Sequence, residues 1–169
     1  MPRSVANPPN PWAGRHVEWL GPPPAVGAVV YEEQAKSLLS RNESPDVPFR
    51  WGVNAYRGCA HACAYCYARP SHEYLDFGAG TDFDSRIVVK TNAPEVLSLE
   101  LARTSWKREV VCLSGNTDPY QPLEASYGLS RRLLEVFLAR RTTVVVITKG
   151  ALIRRDVDLL ARLADQVGV

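Results

Sequence analysis

Short apolar runs alternate with segments of helical periodicity along most of the chain. Runs rich in Val, Ile and aromatic residues predict four strands, at 52–56, 86–90, 110–114 and 143–148. Leucines at helical spacing predict three helices between and after these strands, at 95–104, 126–140 and 155–166. Strands that alternate with helices are typical of a parallel sheet. The pattern therefore predicts an α/β fold with about four parallel strands.

Proline and polar residues dominate the chain before this alternation begins. The first 24 residues hold seven of the 13 prolines, which remove backbone donors and predict an extended or disordered arm over 1–25. Residues 26–48 are expected to form an extension, with a strand at 26–31, helical turns at 32–39 and a polar break at 42–48. We expect the remaining residues, 49–169, to form one organised domain.

A polar loop follows each of the four predicted core strands. Because parallel strands end at one edge of their sheet, these loops are expected to face a single site. The loops are a cysteine-rich segment after the first strand, Thr91 and Asn92 after the second, residues 115–122 after the third, and Lys149 with Gly150 after the fourth.

The cysteine-rich loop carries the strongest chemical signal in the sequence. Cys59, Cys63 and Cys66 have the spacing Cys-x3-Cys-x2-Cys. Three thiolates this close can bind three irons of a cubane iron–sulfur cluster and leave the fourth iron for another ligand. An open iron corner indicates chemistry at the cluster rather than electron storage alone.

Two other interpretations of the cysteines stay open. His61 would complete a noncatalytic Cys3His zinc site with the three cysteines, although all four ligands would then lie within eight consecutive residues. A disulfide framework is the weakest interpretation, because the fourth cysteine, Cys112, lies in an apolar run and is expected to be a buried strand thiol.

Composition and charge point to a cytoplasmic globular protein. Hydrophobic residues make up 46% and charged residues 22% of the chain, and 20 basic against 18 acidic residues give a net charge of +2. This balance indicates no obligatory polyanionic partner, and the arginines are scattered, so binding to nucleic acid has no support. No apolar run approaches the roughly 20 residues that would span a bilayer, so no membrane association is expected.

The motifs resemble those of the radical S-adenosylmethionine (SAM) superfamily, whose hallmark is this cysteine spacing with an aromatic residue, here Tyr65, before the last cysteine. Residues 117–124, Thr-Asp-Pro-Tyr-Gln-Pro-Leu-Glu, resemble the branch related to spore photoproduct lyase. The segments at 48–51, 68–70 and 72–75 are similar to uncharacterised bacterial members of that branch. The resemblance runs from about residue 26 to the end and implies a partial (β/α) barrel, of which this chain would be the N-terminal portion.

The resemblance also implies the cofactors and their ligands. Cys59, Cys63 and Cys66 would hold a 4Fe-4S cluster, and SAM would bind the free iron and be cleaved to a 5′-deoxyadenosyl radical for hydrogen abstraction. The Tyr65 backbone would lie near adenine, and Lys149 would pair with the SAM carboxylate. The methionine amine would bind at the loop formed by Ser114, Gly115, Asn116, Thr117 and Asp118.

Each secondary assignment has a structural alternative. Tyr65 would merely pack the loop, Lys149 would be a solvated charge at a strand end, and the Asp-Pro stretch would be a plain turn. His61 and His72 are possible hydrogen-bond partners of cluster sulfurs, but neither is assigned a catalytic role.

The partners expected from the resemblance are an external electron donor of the flavodoxin or ferredoxin type and a substrate that the sequence does not identify. Full domains of the superfamily resemble a barrel of about six β/α units. The chain is therefore expected to be a fragment, a remnant that binds the cluster without activity, or one half of a split protein whose second chain supplies the remaining barrel.

Overall fold

Two sheets and five α-helices make up residues 27–167, the part of the chain that this computed structural model describes. The strands are Val29–Glu33 (β1), Leu39–Arg41 (β2), Trp51–Val53 (β3), Tyr56–Arg57 (β4), Arg86–Lys90 (β5), Val111–Leu113 (β6) and Val144–Val146 (β7). The α-helices are Asp82–Ser85 (α1), Ala93–Leu101 (α2), Glu124–Tyr127 (α3), Leu129–Ala139 (α4) and Val157–Gln166 (α5). Two 3-10 helices, Arg69–Leu75 and Ala151–Asp156, complete the described elements.

One continuous stretch of chain contributes a strand to each of the two sheets. The larger sheet has the order β2-β3-β6-β7, with β6 parallel to both β3 and β7 and with β2 antiparallel to β3. The smaller sheet has the order β1-β5-β4, with β5 parallel to β1 and antiparallel to β4. Only Asn54 and Ala55 separate β3 from β4, so this stretch passes from one sheet to the other directly before the cysteines.

The core lies where three helices cover the larger sheet. Helix α4 packs between α2 and α5, and its inward residues Leu133, Leu134 and Phe137 are fully buried. They meet the apolar faces of β3, β6 and β7, where Val111 and Val144 are also fully buried. Removing apolar area of this kind from water is the main force that holds the helices on the sheet.

The α/β class predicted from the sequence is confirmed, but the sheets mix parallel and antiparallel pairs. The predicted strand at 86–90 is confirmed, whereas the one at 52–56 is interrupted between β3 and β4. The long helix predicted at 126–140 is divided into α3 and α4, because Gly128 between them has a left-handed backbone with φ of 63°. The helix predicted from 155 begins as a 3-10 helix, and α5 starts at Val157.

The helical turns predicted at 32–39 are wrong. Residues 32 and 33 belong to β1, which pairs with β5, residues 34–38 form a connection without a helix, and β2 begins at Leu39. The amides of Leu38 and Leu39 donate to the buried Glu100 carboxylate of α2 at 3.1 and 2.9 Å, which holds the connection between the two strands. The arm predicted at 1–25 lies outside the described residues. Among the helices described, none combines the length and the apolar character needed to cross a membrane.

Two buried carboxylates join the ends of several elements. Glu124 accepts hydrogen bonds from the Tyr56 hydroxyl at 2.5 Å and from Arg155 at 2.7 Å. Asp156 accepts from Arg155 at 2.9 Å, from Arg131 at 3.0 Å and from the Tyr120 hydroxyl. Burial acts to raise the pKa of Asp156, but hydrogen bonds from the two arginines lower it overall, so the carboxylate stays charged. This network ties β4, α3, α4 and the start of α5 together.

Gly150 comes into direct contact with the backbone of Tyr120. A Cβ added at Gly150 would overlap the Tyr120 carbonyl oxygen and lie 3.1 Å from its carbonyl carbon. Only glycine lets the loop after β7 approach the loop after β6 this closely.

We therefore predict that Gly150→Ala lowers the free energy of unfolding by about 1–3 kcal/mol, because backbone must move to accept the methyl group. Equilibrium urea unfolding of the cluster-free protein measures the change. Gly80→Ala is the matched control, since a Cβ there has no neighbour within 4 Å. Equal stability of the two variants would contradict the close approach.

Candidate functional site

The cysteine loop begins directly after β4 and is held by contacts from outside the loop. Cys59 is buried, and its amide donates to the carbonyl of Phe83 at 2.9 Å. The guanidinium of Arg69 donates to the carbonyl of Cys63 at 3.1 Å and pairs with Asp84 at 2.9 Å. The loop therefore has a defined shape although it contains no strand or α-helix of its own.

Gly58 opens the loop with a left-handed backbone, at φ of 80°. A side chain here would also meet the His72 ring at 2.9 Å and the Phe83 carbonyl at 2.9 Å. His72 is fully buried beneath the loop, and its Nε2 lies 2.8 Å from the Arg86 carbonyl. His72 thus packs the base of the loop, consistent with assigning it no catalytic role.

The loop after β6 is organised around the carboxylate of Asp118. One oxygen accepts from the Tyr120 amide at 2.8 Å and from the Thr148 hydroxyl, and the other accepts from the Lys149 amide at 2.8 Å. The His61 Nε2 lies 3.5 Å from the same carboxylate. Asp118 therefore connects the loops after β6 and β7 and faces the cysteine loop.

Asn54, between β3 and β4, also orders the loop after β6. Its side-chain oxygen accepts from the amides of Asn116 and Thr117, both at 3.1 Å. The sequence analysis missed this residue because a lone Asn between two strands gives no signal of a partner some sixty residues away.

Three loops enclose a cavity of about 320 Å³, which we call the loop cavity. Its lining comprises Cys63, Tyr65, Cys66, Tyr67, Ala68, Ser114, Gly115, Asn116, Thr117, Asp118, Ile147, Thr148 and Lys149. It thus includes every residue predicted for SAM and two of the three cysteines. Cys59 is not part of this lining and packs against Ala68, Phe83 and Cys66. A larger cavity of about 610 Å³ at residues 41–50 has no cysteine in its lining.

Thr91 and Asn92 do not join the loop cavity. The Asn92 side chain accepts from the Ala35 amide at 2.8 Å and donates to the Ala35 carbonyl at 3.0 Å, and the Thr91 hydroxyl accepts from Gln34. They follow β5, which runs antiparallel to β4, so β5 ends away from the point where β4 leads into the cysteine loop, whereas β6 and β7 are parallel neighbours whose loops lie at one edge. Three of the four predicted loops therefore meet.

Lys149 reaches the cysteine loop across the loop cavity. Its ammonium donates to the Cys63 sulfur at 2.9 Å, and this hydrogen bond is the main cause that raises the Lys149 pKa. The side chain is therefore charged at neutral pH, beside one of the predicted cluster ligands.

Two aromatic residues form an exposed rim of the loop cavity. The Tyr65 side chain is 84% exposed, and the Tyr67 side chain is 79% exposed while its hydroxyl donates to the Gly115 carbonyl. Tyr67 joins the cysteine loop to the loop after β6, a role that the sequence analysis did not assign.

The donor set fits an iron–sulfur cluster. All four cysteines are free, and the three in the loop lie within eight residues of one another. In the described residues, no three Cys, His, Asp or Glu side chains converge on one point as ligands of a single metal ion would. A cubane cluster would bind each of the three cysteines through a different iron. His61 lies beside Asp118, and burial lowers the pKa of its imidazole.

Cys112 is separate from these three thiols. It is fully buried in β6, and burial raises the pKa of its thiol to about 11. The thiol therefore stays protonated at neutral pH, as expected of a buried strand cysteine.

The family model of the radical SAM superfamily matches residues 53–169. The chain belongs to the radical SAM superfamily. Members of this superfamily generally bind a 4Fe-4S cluster and SAM. The matched region contains the cysteine loop and the whole lining of the loop cavity.

Curated proteins similar to the chain come from bacteria, an archaeon and a virus. The uncharacterized protein Rv2578c of Mycobacterium tuberculosis is 51% identical over 144 residues, which cover 85% of this chain. The uncharacterized protein MJ0683 of Methanocaldococcus jannaschii is 30% identical over 137 residues, or 80% of this chain. The uncharacterized protein ORF301 of Acidianus two-tailed virus is 32% identical over 124 residues, or 69% of this chain.

The chain spans 42% of the mycobacterial relative, 49% of the archaeal one and 40% of the viral one. No solved structure matches the chain at a significant level.

We predict that Asp118→Asn lowers the free energy of unfolding of the cluster-free protein by about 1–3 kcal/mol, because the new amide group faces a donor that the carboxylate had satisfied. Asp165→Asn is the control, since Asp165 is exposed on α5, and it should change stability by less than about 0.5 kcal/mol. Urea unfolding of both variants checks the difference. An Asp118 variant as stable as the control would mean that the carboxylate does not connect the loops.

Proposed function

We propose that this chain supplies the cluster-binding and SAM-binding part of a radical SAM enzyme. Cys59, Cys63 and Cys66 would hold a 4Fe-4S cluster, which when bound supplies one electron for reductive cleavage of SAM to a 5′-deoxyadenosyl radical. The observation that carries the proposal is the meeting of two cluster cysteines with residues 114–118 and Lys149 around one cavity.

The geometry of the loop cavity supports a division of roles among the chain's own residues. The loop at 114–118 would present backbone carbonyls and side-chain oxygens to the SAM amine. Its shape is fixed from behind, because Asn54 binds the amides of Asn116 and Thr117 while Ser114 donates to the Thr117 carbonyl. A loop that is already ordered loses little conformational entropy when a ligand binds.

Lys149 would neutralise the SAM carboxylate. Its ammonium already lies 2.9 Å from the Cys63 sulfur, so it can reach a ligand bound next to that cysteine. The backbone of Tyr65, at the exposed rim of the loop cavity, would lie near the adenine.

The proposed enzyme needs an electron donor and elements that select its substrate. An external electron donor of the flavodoxin or ferredoxin type would reduce the cluster, and the partial exposure of Cys63 and Cys66 supports its access to the site. Elements that select the substrate are proposed to lie in the further length that the relatives possess, or in a second chain. The motif at 117–124 supports a place in the branch related to spore photoproduct lyase, and a cytoplasmic location would keep the thiols reduced.

The proposal predicts about four irons and four sulfides per chain after anaerobic reconstitution. Cys63→Ala should lose most of both, whereas Cys112→Ala, which removes a thiol outside the loop, should retain them. Adding dithionite and SAM to the wild type should release 5′-deoxyadenosine. Zinc without sulfide would overturn the proposal in favour of a structural metal site. A cluster without 5′-deoxyadenosine would indicate that cleavage needs the further length that the relatives possess or a second chain, or that the chain is a cluster-binding remnant.

Lys149→Met should weaken SAM binding to the reconstituted protein by about tenfold or more, because a charge-assisted hydrogen bond is lost. Its iron content should equal that of the wild type. Anaerobic calorimetric titration with SAM measures the affinity, and Lys107→Met, at an exposed position outside the loop cavity, is the control. Equal SAM affinity in both variants would remove Lys149 from the binding site.

A further inference from the structure

Gln121 is a fully buried amide in the loop after β6. Its side-chain oxygen accepts from the Ala60 amide at 2.9 Å, and its side-chain nitrogen donates to the Gly58 carbonyl at 3.2 Å. These two bonds hold the backbone on either side of Cys59. Gln121 is absent from the lining of the loop cavity, so it holds the cysteine loop without facing the cavity.

The two bonds complete the restraint of the Cys59 backbone. The Cys59 amide already donates to the Phe83 carbonyl at 2.9 Å, and its side chain packs on Phe83 and Ala68. Without Gln121, the Ala60 amide and the Gly58 carbonyl would lose their partner, at the point where the chain leaves β4 and turns into the cysteine loop. Among the three cysteines, Cys59 is the most buried and so depends most on its backbone for orientation.

Only an amide of this length satisfies both partners. The site requires an acceptor for Ala60 and a donor for Gly58 at once, which the glutamine side chain offers. Glutamate in its charged form offers acceptors only, and methionine, with a similar length, offers no useful donor. The position therefore depends on the chemistry of the side chain and not only on its volume.

Gln121 belongs to the same short turn as Asp118, since the Gln121 amide donates to the Asp118 carbonyl at 3.3 Å. This turn holds Cys59 on one side and, through the Asp118 carboxylate, the Lys149 amide on the other. One turn therefore fixes the spacing between the cysteine loop and the side of the loop cavity proposed for SAM.

We propose that Gln121 is a positioning residue for the cluster, which holds Cys59 in register with the loops that line the loop cavity. This inference rests on the proposed function, because it assigns Gln121 a role only where the cysteines bind a cluster. Gln121 acts through the backbone of Cys59 and touches neither cluster nor SAM in this role.

The test compares Gln121→Met, Gln121→Glu and the exposed control Gln166→Leu in the reconstituted, anaerobic protein. The first readout is the rate at which an Fe²⁺ chelator removes iron. We expect Gln121→Met, which loses both hydrogen bonds, to lose iron at least about tenfold faster than wild type. Gln121→Glu keeps the acceptor for Ala60, so its rate of iron loss should lie between those of Gln121→Met and wild type. Gln166→Leu should lose iron at the wild-type rate.

The second readout is hydrogen exchange in the cluster-free chain. The Ala60 amide should exchange faster in Gln121→Met, while the amides of α4 keep their protection. The third is the midpoint potential of the cluster, which should differ between Gln121→Met and wild type because Cys59 holds its iron differently. A role in stability alone would alter the exchange of α4 as well.

The possible outcomes separate the two proposals. A wild-type chain that assembles no cluster overturns the proposed function itself. A wild-type cluster whose release rate and potential are unchanged in Gln121→Met overturns the positioning role and leaves the proposed function standing. Failure of both Gln121 variants to fold would make Gln121 a determinant of stability and would also overturn the positioning role.

Discussion

Arg155 lies between two buried carboxylates, and the geometry of the site depends on this arrangement. Glu124 and Asp156 are both fully buried, and each receives a hydrogen bond from Arg155. Removing one partner from a buried ion pair typically costs about 3–5 kcal/mol, because the remaining charge is left without compensation. The Tyr56 and Tyr120 hydroxyls complete the network, so the strand before the cysteines and the loop after β6 are anchored to the same group of charges.

The loops of the site take their rigidity from this anchor. Residues 117–124 connect the loop cavity to the buried Glu124. Asp118 and Gln121 both belong to this stretch. Asp118 binds the loop after β7, and Gln121 binds the cysteine loop. This stretch, whose sequence resembles the branch related to spore photoproduct lyase, thus joins the other two loops. Asp118 both lines the loop cavity and binds a neighbouring loop, whereas Gln121 only binds a neighbouring loop.

Local patterns in the sequence predicted the strand at 86–90, the helices of the core and the gathering of three loops, because apolar periodicity and motif spacing are local properties. They failed where the outcome depends on distant partners. The non-helical chain at 32–39 is held by β5 and by Glu100, and Asn54, between β3 and β4, binds the loop after β6. The same holds for Gln121 and Gly150, whose partners are Gly58, Ala60 and Tyr120. Thr91 and Asn92 were misplaced because β5 runs antiparallel to β4, so the end of β5 lies away from the cysteine loop.

Contacts from other parts of the chain hold the cysteine loop. Phe83, Arg69 and Gln121 fix its backbone, and Gly58 provides the turn that no other residue would accept. These contacts come from separate parts of the chain, so the orientation of the three cysteines depends on the tertiary fold and not on the motif alone. A peptide that carries only residues 56–67 would keep the cysteine spacing and lose the contacts that orient the thiols.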